Sequence, residues 1–209
     1  MPHLVHLTKD KKLAKITKDK KLAKIILLQQ KFELQKRNRV YLHLCSSIIS
    51  QQLSTKVADV IFNRFLNLYP NKKPTAKDIA ATPFEKLRAI GLSNAKANYV
   101  HNVCIFFIEN KLTDARLHKM DNDELTNFLV QIKGVGRWTV EMILMFTLAR
   151  EDVFAVDDLG IQQAMARLYK IETADKKEMK QKMIEISNKW SPYRTYACRY
   201  LWGWKDGGN

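Results

Sequence analysis

Two short runs carry the residue types best suited to chemistry: Lys133-Gly134-Val135-Gly136-Arg137-Trp138-Thr139 and, about two dozen residues later, Val156-Asp157-Asp158-Leu159. Glycine tolerates positive φ and close approach, so a Gly-x-Gly turn entering a helix can converge several amide N–H groups on one phosphate oxygen. Lys133 and Arg137 add positive charge on either side. An isolated Gly-Val-Gly is more often the ordinary glycine end of a helix. The aspartate pair follows the apolar run Val153-Phe154-Ala155-Val156 and precedes Ile161, Met165 and Leu168, a helical stripe. One aspartate suffices as an N-cap. A second, turned into a cleft, would be placed to stabilise a cationic sugar or activate water. Spacing alone does not assign the two roles.

The elements that must position these runs read as helices. Ile132 ends one helix and Trp138 to Leu148 forms the next, so the glycine turn between them is a helix-hairpin-helix. Val57, Val60, Ile61, Phe65 and Leu68 follow a helical stripe. Thr82-Pro83-Phe84-Glu85 has the residues of a capping box with proline in the first turn. Asp121 with Glu124 opens a helix whose face is Leu125, Phe128, Leu129 and Ile132. Asp175 with Glu178 opens another, carrying Met179, Met183, Ile186 and Trp190. Ser93 caps one with Ala97, Val100, Cys104, Phe107 and Ile108. No segment alternates with period two and no Asn-Gly hairpin signal occurs. The expected class is all-α, with roughly eight to ten helices and short connections.

The chain has 209 residues, a net charge of +15 and a pI near 9.7. That balance favours a polyanionic partner, nucleic acid before an anionic membrane surface. The charge is uneven: residues 1–40 hold ten lysines and two arginines against three acids, a net +9. Within them TKDKKLAKI occurs twice in tandem, from Thr8 to Ile16 and from Thr17 to Ile25. A nine-residue period is too short for a solenoid unit. It reads as a basic helix or mobile arm over residues 1–38, ahead of one domain over residues 39–209. Cys45, Cys104 and Cys198 are odd in number and lack CxxC spacing, and the five histidines lack metal-ligand spacing, so no side-chain metal site is indicated. No apolar run approaches the ~18 residues of a membrane span. A soluble intracellular protein, cytoplasmic if bacterial, is expected.

Residues 132–165, with GVGRWT, DVFAVDD and the IQQA helix, resemble the helix-hairpin-helix GPD superfamily of DNA base-excision glycosylases, nearest its 3-methyladenine DNA glycosylase II branch. Ile48-Ile49-Ser50-Gln51-Gln52-Leu53-Ser54 resembles the segment that enters DNA where the damaged base leaves. Ile90-Gly91-Leu92-Ser93 with Lys96-Ala97 resembles the turn and helix ahead of the hairpin. Trp190-Ser191-Pro192-Tyr193-Arg194, Tyr196-Ala197 and Trp202 resemble the C-terminal helix. The similarity spans roughly residues 40–204.

The resemblance implies Asp158 as the catalytic aspartate and Asp157 as a helix-capping or supporting acid. It implies that Lys133, Gly134, Val135, Gly136 and Arg137 bind a DNA phosphate, with Na+ or K+ held by hairpin carbonyls and no other cofactor. Bifunctional relatives carry a Schiff-base lysine directly after GVGR. Trp138 stands there, so hydrolysis without lyase activity is expected. Gln51, Gln52 and Leu53 would form the wedge, with Gln52 or Leu53 filling the vacated stack, and Trp138, Trp202 and Tyr193 would line the base pocket. The substrate would be double-stranded DNA bearing an alkylated purine such as 3-methyladenine or 7-methylguanine, bound by a monomer. There is no room for the β-rich N-terminal domain of larger relatives. Met142 stands where some of them place an aromatic, which leaves base preference open. The alternatives are a glycosylase for uracil or hypoxanthine, and a binding module without catalysis.

Overall fold

The computed structural model describes residues 10–207, and Thr8 and Lys9 of the first repeat copy lie outside them. Among the described residues there are thirteen α-helices, two 3-10 turns and no strand. The all-α expectation holds. The count exceeds the expected range because four helices have only five or six residues, too short for a periodicity window to register. The chain divides into two compact units, residues up to 35 with those from 149 onward, and residues 36–148.

The first unit contains α1 (Lys11–Ile16), α2 (Lys20–Ile26), α11 (Leu159–Tyr169), α12 (Lys176–Ser187) and α13 (Arg194–Gly207). The tandem repeat is therefore not a separate arm. Asp10 and Asp19, at matching positions, each cap a helix by accepting from two backbone amides. Leu13 and Ile16, then Leu22 and Ile25, turn into the core. Each such side chain contributes on the order of 2 kcal/mol by leaving water. The copies then diverge in their partners. Lys31 pairs with Asp10 at 2.9 Å, whereas Asp19 accepts from the Tyr169 hydroxyl at 2.7 Å and the Trp190 indole at 3.2 Å. Lys12 pairs with Glu151 at 2.5 Å and donates to the Tyr196 hydroxyl at 2.8 Å. These tertiary contacts draw residues 10–35 into the unit, so the boundary expected near residue 38 does not isolate an arm.

The second unit holds α3 (Val40–Ser50), α4 (Thr55–Leu66), α5 (Ala76–Ala80), α6 (Phe84–Ala89), α7 (Asn94–Glu109), α8 (Asp114–Lys119), α9 (Asn122–Leu129) and α10 (Arg137–Phe146). Its longest helix, α7, packs on α3, α5 and α6. Ala97, Val100, Val103, Cys104 and Phe107 are buried on α7, and Cys45 of α3 lies 3.9 Å from Cys104. The first amides of α3 receive their cap from a distance: Asp114 accepts from Arg39 N–H at 2.6 Å and Val40 N–H at 3.0 Å. Ser93, Asp121 and Asp175 cap their helices as expected. Thr82 does not. Its hydroxyl bonds the Asp78 carbonyl and Tyr69, and Pro83 occupies the cap position without a side-chain bond. The stripe expected on α4 is also displaced: Ala58 and Phe65 are its buried residues, while Val57 and Val60 are exposed.

Candidate functional site

In the first unit, Asp158 is the N-cap of α11, with extended backbone and a side chain accepting from Ile161 N–H at 2.9 Å. The same oxygen, Oδ1, accepts from Trp202 Nε1–H on α13 at 2.8 Å. The carboxylate is thus fixed by one local and one distant donor, both directional. Gly160 makes room for this. A Cβ there would lie 3.1 Å from both Asp158 Oδ1 and Trp202 Cδ1, tighter than ordinary contact. Gln162 closes the turn from inside the helix, its side-chain amide donating to the Val156 carbonyl at 2.9 Å.

Asp157 faces elsewhere. It is exposed and pairs with Lys180 of α12 at 2.5 Å. The helix-capping role expected of Asp157 therefore falls to Asp158: only the residue whose C=O starts the helix can reach back to the third amide. Cap and candidate catalyst are one residue.

The segment delivering Asp158 is clamped to the start of α13. Arg194 grips Asp152 through Nε at 2.7 Å and Nη2 at 2.8 Å, and Ser191 adds a bond at 3.0 Å. Burial opposes the Asp152 carboxylate, and the hydrogen bonds from Arg194 and Ser191 outweigh it, leaving its pKa below the ordinary value. Thr195 Oγ1 donates to the Arg150 carbonyl at 2.7 Å and accepts from Val153 N–H at 3.0 Å. Tyr193 is half-buried, edge-on to Tyr196 at 6.3 Å. Trp202 is half-buried too, whereas Trp190 is wholly core.

In the second unit, the turn from α9 to α10 separates its glycines by function. Gly134 has φ +104, and a Cβ on it would run into the Tyr99 ring, so no other residue fits. Gly136 is the N-cap of α10 with ordinary φ (−91), no side-chain cap bond, and nothing within 4 Å of an added Cβ. The opening turn of α10 thus receives no capping side chain and faces open space at Gly136. Lys133 and Arg137 are exposed, with Arg137 Nε 3.3 Å from Glu141. Val135 departs from its expected place among the phosphate ligands. It is buried, and its N–H bonds the Ile132 carbonyl at 2.9 Å, because the tight turn needs an apolar anchor. Trp138, in the first turn of α10, is 39% exposed.

The expected wedge segment links α3 to α4 in the same unit. Gln52 is exposed with φ +58, and Leu53 is half-buried, its N–H bonded to the Ser50 carbonyl at 3.1 Å. Lys96 of α7 donates to the carbonyls of Ile49 at 2.9 Å and Gln51 at 2.6 Å. Partial burial lowers the Lys96 pKa. Sequence reasoning named Lys96 only as part of a resemblance and missed Gly160 and the Trp202–Asp158 bond. The Asp-Leu-Gly order is the one local signal for Gly160, and nothing local announces a bond across 44 residues.

A carboxylate thus caps one helix in the first unit, and in the second a glycine with no side-chain cap opens another beside an exposed turn. The chain matches the family described as "HhH-GPD superfamily base excision DNA repair protein" over residues 45–189, and it belongs to that family. It is 37% identical over 169 residues to the Schizosaccharomyces pombe protein named DNA-3-methyladenine glycosylase 1, covering 80% of this chain and 73% of that one. Among solved structures, a DNA-3-methyladenine glycosidase from Bacillus halodurans superposes with a TM-score of 0.83 at 31% identity, covering 96% of this chain and 91% of that one. The S. pombe 3-methyladenine DNA glycosylase in complex with abasic DNA gives 0.78 at 32% identity, covering 100% and 98%. No helix among the described residues is long and apolar enough to cross a membrane.

Proposed function

We propose that this protein is a monofunctional DNA glycosylase that extrudes alkylated purines, 3-methyladenine and 7-methylguanine, from duplex DNA and hydrolyses their N-glycosidic bonds, acting as a monomer. The observation that carries the reading is Asp158, held on one oxygen by Ile161 N–H and Trp202 Nε1–H. The likeness to proteins named 3-methyladenine glycosylases supports the substrate class.

The amides opening α10, with Lys133 and Arg137, take a backbone phosphate. The carbonyls of Ile132 and Lys133 already accept from Val135 and Asn102. A carbonyl keeps a second lone pair, so this neutral oxygen turn suits a monovalent cation, which would supply electrostatic support to the phosphate contact. Extrusion costs a few kcal/mol of lost stacking and pairing. Gln52, exposed at the tip of its turn, enters the vacated stack as a wedge. The cationic base gains about 0.5–2 kcal/mol from an aromatic face, for which Trp202, Tyr193 and Trp138 are the candidates. As the glycosidic bond breaks, the sugar develops oxocarbenium character and the Asp158 carboxylate stabilises it and orients water. Many glycosidases need a second carboxylate as acid. An alkylated base already carries positive charge and leaves without one. Trp138 after GVGR offers no amine, so no Schiff base forms.

The test is base release from methylated duplex DNA and from duplexes containing uracil or hypoxanthine, with borohydride trapping in parallel. Free 3-methyladenine and 7-methylguanine with no trapped adduct is the expected result. Release of uracil or hypoxanthine alone would move the substrate to deaminated bases. Binding without release of any base would leave a DNA-binding module.

A further inference from the structure

Lys96 sits in the first turn of α7, where a cation opposes the helix dipole. The helix it belongs to gains nothing from it there, since Ser93 Oγ already caps that end by accepting from Lys96 N–H at 3.2 Å. Its ammonium is also drawn partly out of water. Both penalties are repaid at a different helix. The last carbonyls of α3 have no partner within their own helix, and Lys96 Nζ donates to those of Ile49 and Gln51. A cation at a helix C-terminus is favourable. The carbonyl of Gln51 belongs to the peptide that leads directly into Gln52, whose φ of +58 is a left-handed conformation that L-residues adopt at a cost of about 1–2 kcal/mol. Such a conformation persists only when its surroundings over-determine it. Lys96 joins the Leu53 N–H bond to the Ser50 carbonyl in holding this turn.

One and two turns further along α7, the same ridge meets the hairpin. Tyr99 packs against Gly134, and Asn102 Nδ2 donates to the Lys133 carbonyl at 3.2 Å. Residues 96, 99 and 102 recur every three positions and so form one row along the helix surface. A single rigid element therefore carries the contacts that hold the wedge turn and those that hold the phosphate-facing turn.

We infer that Lys96 is a positioning residue for base extrusion: it acts through Gln52, by fixing the turn that presents it, and not by contacting phosphate. This rests on the wedge role proposed for Gln52. Lys96 then controls how readily a stacked base is displaced, while phosphate affinity and bond hydrolysis belong to other residues. Because extrusion is less costly for a base that is already mispaired, loss of Lys96 has a signature that loss of general structure lacks.

The experiment uses the full chain and the variants Lys96→Met, Gln52→Ala and the double variant. The probes are a duplex with an abasic-site analogue flanked by 2-aminopurine, whose fluorescence reports entry into the stack, and duplexes with 7-methylguanine opposite cytosine or opposite thymine. For Lys96→Met, release from the paired lesion falls about tenfold and from the mismatched lesion only about threefold. The 2-aminopurine signal falls alongside, and the salt dependence of binding keeps its slope. In the double variant the loss is no greater than in the worse single variant, as coupled residues require. Equal losses in both pairing contexts, additive losses in the double variant, or a salt slope reduced by about one would overturn the inference, the last assigning Lys96 to phosphate. If wild type releases no alkylated base, the substrate reading fails but the 2-aminopurine cycle still decides the role of Lys96. Lys96→Gln takes the place of Lys96→Met if circular dichroism shows the latter unfolded.

Discussion

Two helices of nearly equal length, α10 and α11, begin in opposite ways. Every helix starts with amide donors that have no partner within it. At α11 one of these is filled by Asp158, and Trp202 joins it on the same oxygen. At α10 the cap is Gly136, which has no side chain to offer and open space where one would be. A filled start holds an acid still. A bare start leaves donors for an anion brought from outside. In the proposed function the same feature of helix geometry serves chemistry in one unit and grip in the other, with the residue type at the cap deciding which.

That contrast is sharpest at Asp158. Asp158→Asn keeps an acceptor for Ile161 and so keeps the cap, yet removes the charge; we expect single-turnover base release to fall by about two decades or more, on the scale of losing one electrostatic contact to the transition state. Trp202→Phe removes the distant donor alone. Release should drop about tenfold with unchanged affinity for abasic-analogue DNA, and an equal loss in affinity would show Trp202 acting on DNA binding instead.

The Arg194–Asp152 clamp tests whether the α11 start depends on its approach segment. Asp152 has a depressed pKa in the fold, so its stabilisation is complete above the ordinary carboxylate value near pH 4 and is lost as pH falls through the lower folded value. Melting curves of wild type and Asp152→Asn should differ by about 1 kcal/mol at neutral pH, discounted for partial exposure, and converge as pH falls below about 4. Parallel curves would deny the clamp its role. Smallest of all, Asp157→Asn removes an exposed ion pair with Lys180 and should change stability by less than about 1 kcal/mol and release by less than about threefold. A larger loss of release would make the two acids partners and blur the comparison.

Much of this was legible in the residues. Ser93, Asp121 and Asp175 announced their helices because a cap bond spans only two or three residues. The GVG turn and the acid pair marked the two helix starts for the same reason. Which aspartate would cap was not legible, since either could reach a nearby amide until the backbone direction of the turn was known. The repeat is legible as helical, but its place in the core is not, because its lysines dominate composition and only Asp10 and Asp19 followed by Leu and Ile at helical spacing hold the signal of two capped, buried helices. Thr82 failed as a cap because Tyr69 and the Asp78 carbonyl competed for its hydroxyl. Trp202 was read as a face for a base; its bond to Asp158 depends on how α13 lies against α11, which no local pattern carries.

The most direct test of the division between chemistry and grip sets Asp158→Asn beside Gly136→Asp on one duplex containing 7-methylguanine, measuring affinity and single-turnover release together. Gly136→Asp gives α10 the acidic cap that α11 has, in space that can hold it. A crossed result is expected: Asp158→Asn binds as wild type does and releases base at least about a hundredfold more slowly, whereas Gly136→Asp binds at least about tenfold more weakly and, at saturating protein, releases base at near wild-type rate. Full release by Asp158→Asn, or unweakened binding by Gly136→Asp, would contradict it.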